Sequence, residues 1–295
     1  MNIIQVENLT KTYGTLTAVD HISFTAEQGS MLGFLGINGA GKSTAINMLS
    51  TLLTPDYGTA TLCGHQLGRE NDAIRRKIGI VYQQNCLDDL LTVKENLLCR
   101  GILHGATRAQ ANAQLQRLSQ NLKLSDLLEK RYQTLSGGQK RRSEIAAALM
   151  HTPEILFLDE PTTGLDPATR KDVWQIIETL RREENTTVFL TTHYMEEAAT
   201  ADQIIILDHG KIVTSGTPFQ LKEQYARDKL RLFGDPRKIG IDGTITAFGL
   251  ELPLSSTLDA LPIIQQVKDR IDGFEVIQGN MDDVFLNAVG HGLEG

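Results

Sequence analysis

Cysteine is scarce in this sequence, with Cys63, Cys86 and Cys99 the only three among 295 residues. They show neither CxxC spacing nor a neighbouring histidine cluster, which argues against a disulfide framework or zinc site and for reduced, packed thiols. Long apolar runs are missing as well. None approaches the roughly 18–20 residues that cross a bilayer. The opening residues, Met1-Asn2-Ile3-Ile4-Gln5-Val6-Glu7, lack the charged and apolar regions of a signal peptide. Any membrane role would therefore come through a partner. Excess positive charge is absent too: the formal net charge is -7, with no basic tail, which argues against nucleic acid as a main partner. The apolar and charged fractions, 41% and 22%, are ordinary for a globular protein whose length holds one large domain or two.

Short apolar runs at 3–6, 22–24, 31–35 and 78–81 read as strands, and another set follows at 155–158, 188–190 and 204–207. Ala45, Leu49, Leu52 and Leu53 keep helical spacing until Pro55-Asp56-Tyr57-Gly58 stops them. Residues 92–150 read as helical throughout. Asp166 is placed to cap a helix with Pro167 in its first turn and an apolar stripe of Val173, Ile176, Ile177 and Leu180. Asp208-His209-Gly210-Lys211 reads as a tight hairpin turn. The result is an α/β core carrying an inserted helical subdomain. After about residue 234, Gly and Pro punctuate short segments at 244–248, 263–271, 274–277 and 284–289. These suggest a small α+β appendage, marginal for folding alone.

The glycine-rich turn after residues 31–35 carries the strongest chemistry. Gly36-Ile37-Asn38-Gly39-Ala40-Gly41-Lys42-Ser43 matches G-x-x-x-x-G-K-[ST] between a strand and a helix. Its glycines let backbone N–H groups face phosphate oxygens, and the helix start adds a positive dipole end. Lys42 would neutralise the β- and γ-phosphates of a nucleoside triphosphate, and the Ser43 hydroxyl would coordinate Mg²⁺. Gly36, Asn38, Gly39, Ala40, Gly41, Lys42, Ser43 and Thr44 are thus candidate nucleotide-binding residues.

Two further strand ends point at the same edge. Residues 155–158 run into Asp159-Glu160, so both carboxylates reach the carboxyl edge of the sheet, where α/β folds bind ligands. Asp159 suits the Mg²⁺ shell through water. Glu160 suits the attacking water, as the group that orients and deprotonates it. Residues 188–190 deliver Thr191-Thr192-His193 to that edge, where His193 would hydrogen-bond the γ-phosphate. The other histidines, His21, His65, His104, His151, His209 and His291, read as structural. Gln83 or Gln84, just after the strand at 78–81, would touch Mg²⁺ or the water and report nucleotide state to the helices.

Leu135-Ser136-Gly137-Gly138-Gln139 opens another helix and makes a second anion-binding turn. One nucleotide needs one cradle, so Ser136 and Gly138 would grip the γ-phosphate held by another copy. With this run in view, the sequence resembles an ABC (ATP-binding cassette) ATPase subunit over residues 1–220. The phosphate loop, Gln83, LSGGQ, Asp159-Glu160, Gly164-Leu165-Asp166-Pro167 and His193 occur in that family's order.

The resemblance implies a P-loop NTPase (RecA-like) α/β core with an N-terminal antiparallel β part and a helical subdomain over about 84–154. Residues 221–295 would form the accessory α+β domain. It implies that Tyr13 stacks on adenine and that Asp166 lies in the loop coupling two sites of a dimer. It also selects Gln83 over Gln84 and counts Ser136, Gly137, Gly138 and Gln139 among the nucleotide contacts. Ile37 stands where the family usually has proline, which removes no phosphate contact. Lys140-Arg141-Arg142 reads as a solvated helix face. Residues 78–96 and Asn280-Met281-Asp282-Asp283-Val284-Phe285-Leu286 resemble the multidrug and antibiotic-resistance exporter type. That type implies a second ATPase subunit, a separate permease and a location at the cytoplasmic face of the membrane. The alternatives are a soluble ABC ATPase acting on ribosomes or DNA, and an importer ATPase.

Overall fold

Two N-terminal strands with period-2 burial begin the chain. In β1 (Asn2–Tyr13) Ile4 and Val6 point inward between exposed Gln5 and Glu7; in β2 (Leu16–Glu27) Ile22, Phe24 and Ala26 alternate with exposed neighbours. The computed structural model describes residues 1–247 and 249–292, with side chains to residue 290. Phe248, at the end of the segment expected at 244–248, the His291 side chain and the last three residues lie outside the described residues. The chain forms two compact units, residues 1–194 with 201–212 and residues 195–200 with 213–295.

In the first unit β3 (Met31–Leu35) leads to α1 (Lys42–Leu49), then β4 (Tyr57–Leu62), β5 (His65–Gln66), α2 (Asn71–Lys77) and β6 (Ile78–Val81). Three helices follow: α3 (Val93–Leu103), α4 (Arg108–Asn121) and α5 (Gly137–Leu149). The core closes with β7 (Ile155–Asp159), α6 (Pro167–Glu184), β8 (Thr187–Thr192) and β9 (Gln203–Asp208), and β10 (Lys211–Gly216) begins in this unit and continues into the second. One sheet is antiparallel, in the order β2-β1-β4-β5; the other runs β10-β9-β3-β8-β7-β6, with β6, β7, β8, β3 and β9 parallel. Every residue of β3, β7 and β8 is buried, which is why these strands read as continuous apolar runs. Phe24, Phe34, Phe157 and Phe189 join the sheets, their ring centroids 5.1 to 6.0 Å apart.

The helical block is less continuous than its composition suggests. Capping boxes at Thr92 and Glu95, Thr107 and Gln110, and Ser136 and Gln139 start three separate helices. Between α4 and α5 the chain turns left-handed at Lys123 and buries Leu122, Leu124 and Leu127 at non-helical spacing. His104 and His151 stack with centroids 3.9 Å apart, and burial pushes His151 down to about 4, so its imidazole is neutral at pH 7. The hairpin turn has positive φ at His209 and Gly210, as a type I′ turn requires. Cys63 is half-buried, whereas Cys86 and Cys99 are exposed, contrary to the packed thiols expected; all three are free.

The second unit contains α7 (Met195–Ala198), α8 (Pro218–Tyr225), β11 (Asp228–Phe233), α9 (Pro236–Ile239), β12 (Thr244–Thr246) and β13 (Gly249–Leu254). It ends with α10 (Ala260–Val267), β14 (Gly273–Ile277) and α11 (Met281–Gly292). Its sheet, in the order β12-β13-β11-β14, is antiparallel. One face buries Leu230, Leu232 and Leu250 with Ile239 and Val267. On the other, Lys229 and Arg231 pair with Glu251, Glu275 and Asp283. This unit takes in residues 195–200 as well as everything from 213, and the boundary expected at 220/221 falls inside α8, whose buried Leu221 lies on a helix packed against α11.

Candidate functional site

The phosphate loop takes its curvature from glycines that nothing larger could replace. Gly39 and Gly41 have φ of 88° and 104°, in the left-handed region that disfavours side chains. A Cβ on Gly41 would lie 2.3 Å from the Ala18 carbonyl oxygen, and one on Gly36 would lie 2.6 Å from that of Leu207. The Ala40 carbonyl accepts from Gly210 N at 3.1 Å, and the Gly210 carbonyl accepts from Asp20 N at 2.8 Å. Gly41 caps α1 without any side-chain hydrogen bond, which leaves first-turn N–H groups for an anion. Gly41→Ala is expected to lower nucleotide affinity at least ~5-fold, because the left-handed φ alone costs about 1–3 kcal/mol. Equilibrium binding of a fluorescent ATP analogue checks this; wild-type affinity would refute the close approach to Ala18.

Lys42 is buried, and its Nζ donates to the carbonyls of Gly36 at 2.7 Å and Ile37 at 3.2 Å. Glu160 Oε1 is 3.8 Å away. Burial pushes the Lys42 pKa down, while the charges of Glu160 and Asp159 act in the opposite direction. Asp159 Oδ1 accepts from Thr191 Oγ1 at 2.6 Å and from Ser43 Oγ at 3.3 Å. Glu160 Oε2 accepts from Gln83 Nε2 and from Thr163 Oγ1, both at 3.1 Å. His193 Nδ1 lies 3.3 Å from the same oxygen but off the line of a hydrogen bond. Lys42, Ser43, Gln83, Asp159, Glu160 and His193 therefore converge on one point, and Gln83, not Gln84, carries the amide that reaches it.

Ser136 and its neighbours are elsewhere. Ser136 Oγ accepts from Gln139 N at 3.4 Å, and Gln139 Oε1 accepts from Ser136 N at 3.1 Å. Gly138 faces Thr169, whose Cγ2 would come within 2.2 Å of a Cβ there. Ser136 and Gly137 are exposed. Tyr13, at the tip of β1, is half-exposed with Lys11 Nζ 5.9 Å from its ring centroid. Asp166 caps α6, accepting from Ala168 N, Thr169 N and Thr169 Oγ1.

This arrangement has close relatives. Residues 19–163 match the family described as ABC transporter. The chain is 38% identical to the daunorubicin/doxorubicin resistance ATP-binding protein of Streptomyces peucetius, an alignment covering 98% of this chain and 92% of that protein. The chain belongs to the ABC transporter family. This ABC subunit is also 35% identical to the Nod factor export ATP-binding protein I of Paraburkholderia xenovorans (strain LB400), over 99% of this chain and 98% of the relative. An ATP-binding cassette solved as a dimer in a post-hydrolysis state with ADP and Pi superposes with a TM-score of 0.67 at 29% identity. That match covers 73% of this chain and 98% of the solved one. The ABC subunit thus binds ATP and hydrolyses it. Among its described residues no helix is long and apolar enough to cross a membrane.

The donors near Ser43 suit a small hard cation. Ser43 Oγ, the Asp159 carboxylate and the Gln83 amide are oxygen donors, and Mg²⁺ bound with phosphates takes few protein ligands.

The ABC subunit corrects one expectation outright: Arg141 is not on a solvated face. It is 5% exposed, and its Nη1 and Nη2 donate to the carbonyls of Tyr82 at 2.6 Å and Glu160 at 2.9 Å. One turn along α5, buried Glu144 accepts from Cys86 N, Leu87 N and Tyr132 Oη. The signal was present in the spacing, because Arg141, Ile145 and Leu149 share one helix face and Glu144 adjoins it. Thr191 is the other residue missed. Its pairing with Asp159 across β7 and β8 follows from strand register, which local sequence does not carry.

Proposed function

We propose that this ABC ATPase powers export of a drug, antibiotic, lipid or similar substrate through a separate membrane permease. It works as one of two subunits closed head to tail around two ATP molecules. One observation carries the shared-site reading. Lys42, Gln83, Asp159, Glu160 and His193 gather around the phosphate loop, while every hydrogen bond of Ser136 stays within its own helix turn. A second anion-binding turn that shares no hydrogen bond with the first suits a nucleotide held by a second copy. The resistance and export roles named for the relatives support the transported class.

Within this reading the loop amides from Gly36 to Thr44 and the Lys42 ammonium receive the β- and γ-phosphates, and Tyr13 stacks on the base. Glu160 takes the proton of the attacking water, and His193 holds that water in line. Ser43 and Gln83, with Asp159 reaching through water, would hold Mg²⁺, which would neutralise charge at the phosphate oxygens. Thr191 fixes Asp159 by its short hydroxyl hydrogen bond. Ser136, Gly137, Gly138 and Gln139 meet the partner's γ-phosphate, and Asp166 adjoins that junction. Closure depends on contacts that exist only with a γ-phosphate, so hydrolysis releases the pair. The subunit sits at the cytoplasmic face of the membrane through its permease.

The test is reconstitution. The membrane protein that co-purifies with this chain is expected to raise its ATPase rate in vesicles and to move substrate outward. Stimulation by ribosomes or DNA instead, with no co-purifying membrane protein, would replace the transport reading.

A further inference from the structure

A buried guanidinium requires an explanation. Arg141 is buried on α5 together with Ser143, Glu144 and the apolar Ile145, Ala146, Ala147, Ala148 and Leu149. Taking an arginine out of water is unfavourable unless its fork is matched by acceptors. At Arg141 burial pushes the pKa down, and the carboxylate of Glu144 is the largest influence opposing that. The two acceptors it finds are not side chains but main-chain carbonyls, those of Tyr82 and Glu160. Tyr82 immediately precedes Gln83.

Glu160 is also unusual in its backbone. Its φ is 47°, a left-handed conformation that side chains rarely adopt, and such conformations persist only where the surroundings over-determine them. Here the amide donates to both the carbonyl and the hydroxyl of Thr191, each at 3.1 Å, and the carbonyl accepts from Arg141. Both ends of the residue are held, and the direction of its carboxylate follows from that hold. Glu144 completes the arrangement by binding the amides of Cys86 and Leu87. The stretch 82–87 is therefore tied to α5 at both ends, with Gln83 between the ties and its amide on Glu160 Oε2.

We infer that Arg141 is a positioning residue for hydrolysis: by bridging the carbonyls of Tyr82 and Glu160 it sets the Glu160 carboxylate and Gln83 in mutual register. It acts through Glu160 and touches no substrate. The inference rests on Glu160 being the base. It also gives α5 two tasks, since the helix that opens on Ser136 holds the chain's own Glu160 little more than one turn later.

The test is a double-mutant cycle on the full chain, with MgATP affinity measured separately from turnover. Arg141→Met is expected to lower kcat ~100-fold, the scale of a misplacement near 1 Å. The Kd for ATP should stay within ~2-fold, because no residue of the phosphate loop is tied to Arg141. In a Glu160→Gln background the same substitution should change single-turnover phosphate release by no more than ~2-fold, because residues acting as a unit are not additive. A residue that merely stabilises the fold would instead give additive losses, and that outcome overturns the inference, as does wild-type kcat in Arg141→Met. If Arg141→Met does not fold, Arg141→Lys decides. It keeps the charge but cannot span both carbonyls, so ~10-fold lower kcat at unchanged ATP affinity supports the role and unchanged kcat refutes it. Wild-type turnover in Glu160→Gln alone identifies a different failure, that of the base assignment.

Discussion

Glu160→Gln is expected to bind ATP, form dimers and stall, with steady-state turnover reduced ~1,000-fold, within the range for loss of a general base. The substitution keeps the shape of the side chain and an oxygen that can accept from Gln83 and Thr163, both of which now lie 3.1 Å from Oε2. What it removes is the ability to take a proton, together with the negative charge 3.8 Å from Lys42. Neither loss bears on the loop amides, so ATP affinity should persist. Phosphate release, equilibrium ATP binding and size-exclusion chromatography with ATP measure the three quantities independently. Turnover at the wild-type rate would remove Glu160 from the role of base.

Ser136→Arg should have a comparable effect on hydrolysis for a different reason. Ser136 is exposed, opens α5 and hydrogen-bonds to Gln139 and Lys140 within its own turn. A bulky side chain there blocks the approach of a second copy and is expected to reduce turnover by ~100-fold or more, as expected when pre-organised phosphate donors are lost. ATP binding by the isolated subunit should be largely intact. Loss of the N-cap alone costs about 1 kcal/mol, so Ser136→Asp, which retains capping ability, separates the two effects. Its carboxylate would repel the partner's phosphate while leaving the helix start in place. Equal loss of ATP binding and hydrolysis in either variant would sink the shared site.

These two residues also show what local sequence can disclose. The place of Glu160 was legible because an apolar strand ending in two acids has a defined position at a sheet edge, and that of Ser136 because a Ser-Gly-Gly turn opens a helix. Periodicity also placed α6, whose stripe of Val173, Ile176, Ile177 and Leu180 is buried throughout. Thr191 and Arg141 escaped for physical reasons. A threonine in an all-buried strand acquires its partner only when β7 and β8 come into register, and a run of Lys-Arg-Arg looks solvated until its middle member is seen to face inward. Residues 122–136 were misread because leucine-rich composition is shared by helices and by buried turns. The extent of the second unit was obscured because α8 joins it ahead of the change in composition.

The phosphate loop is eight residues in the sequence but not in the molecule. Ala18, Asp20, Leu207 and Gly210 supply the carbonyls and amides that set its path, so its curvature is drawn from both sheets and from the turn at 209–210. A motif written in eight letters is therefore not a portable part. Moved into another scaffold it would carry its lysine and its serine, but the arc that aims its amides belongs to chain nearly two hundred residues apart, Ala18 at one end and Gly210 at the other.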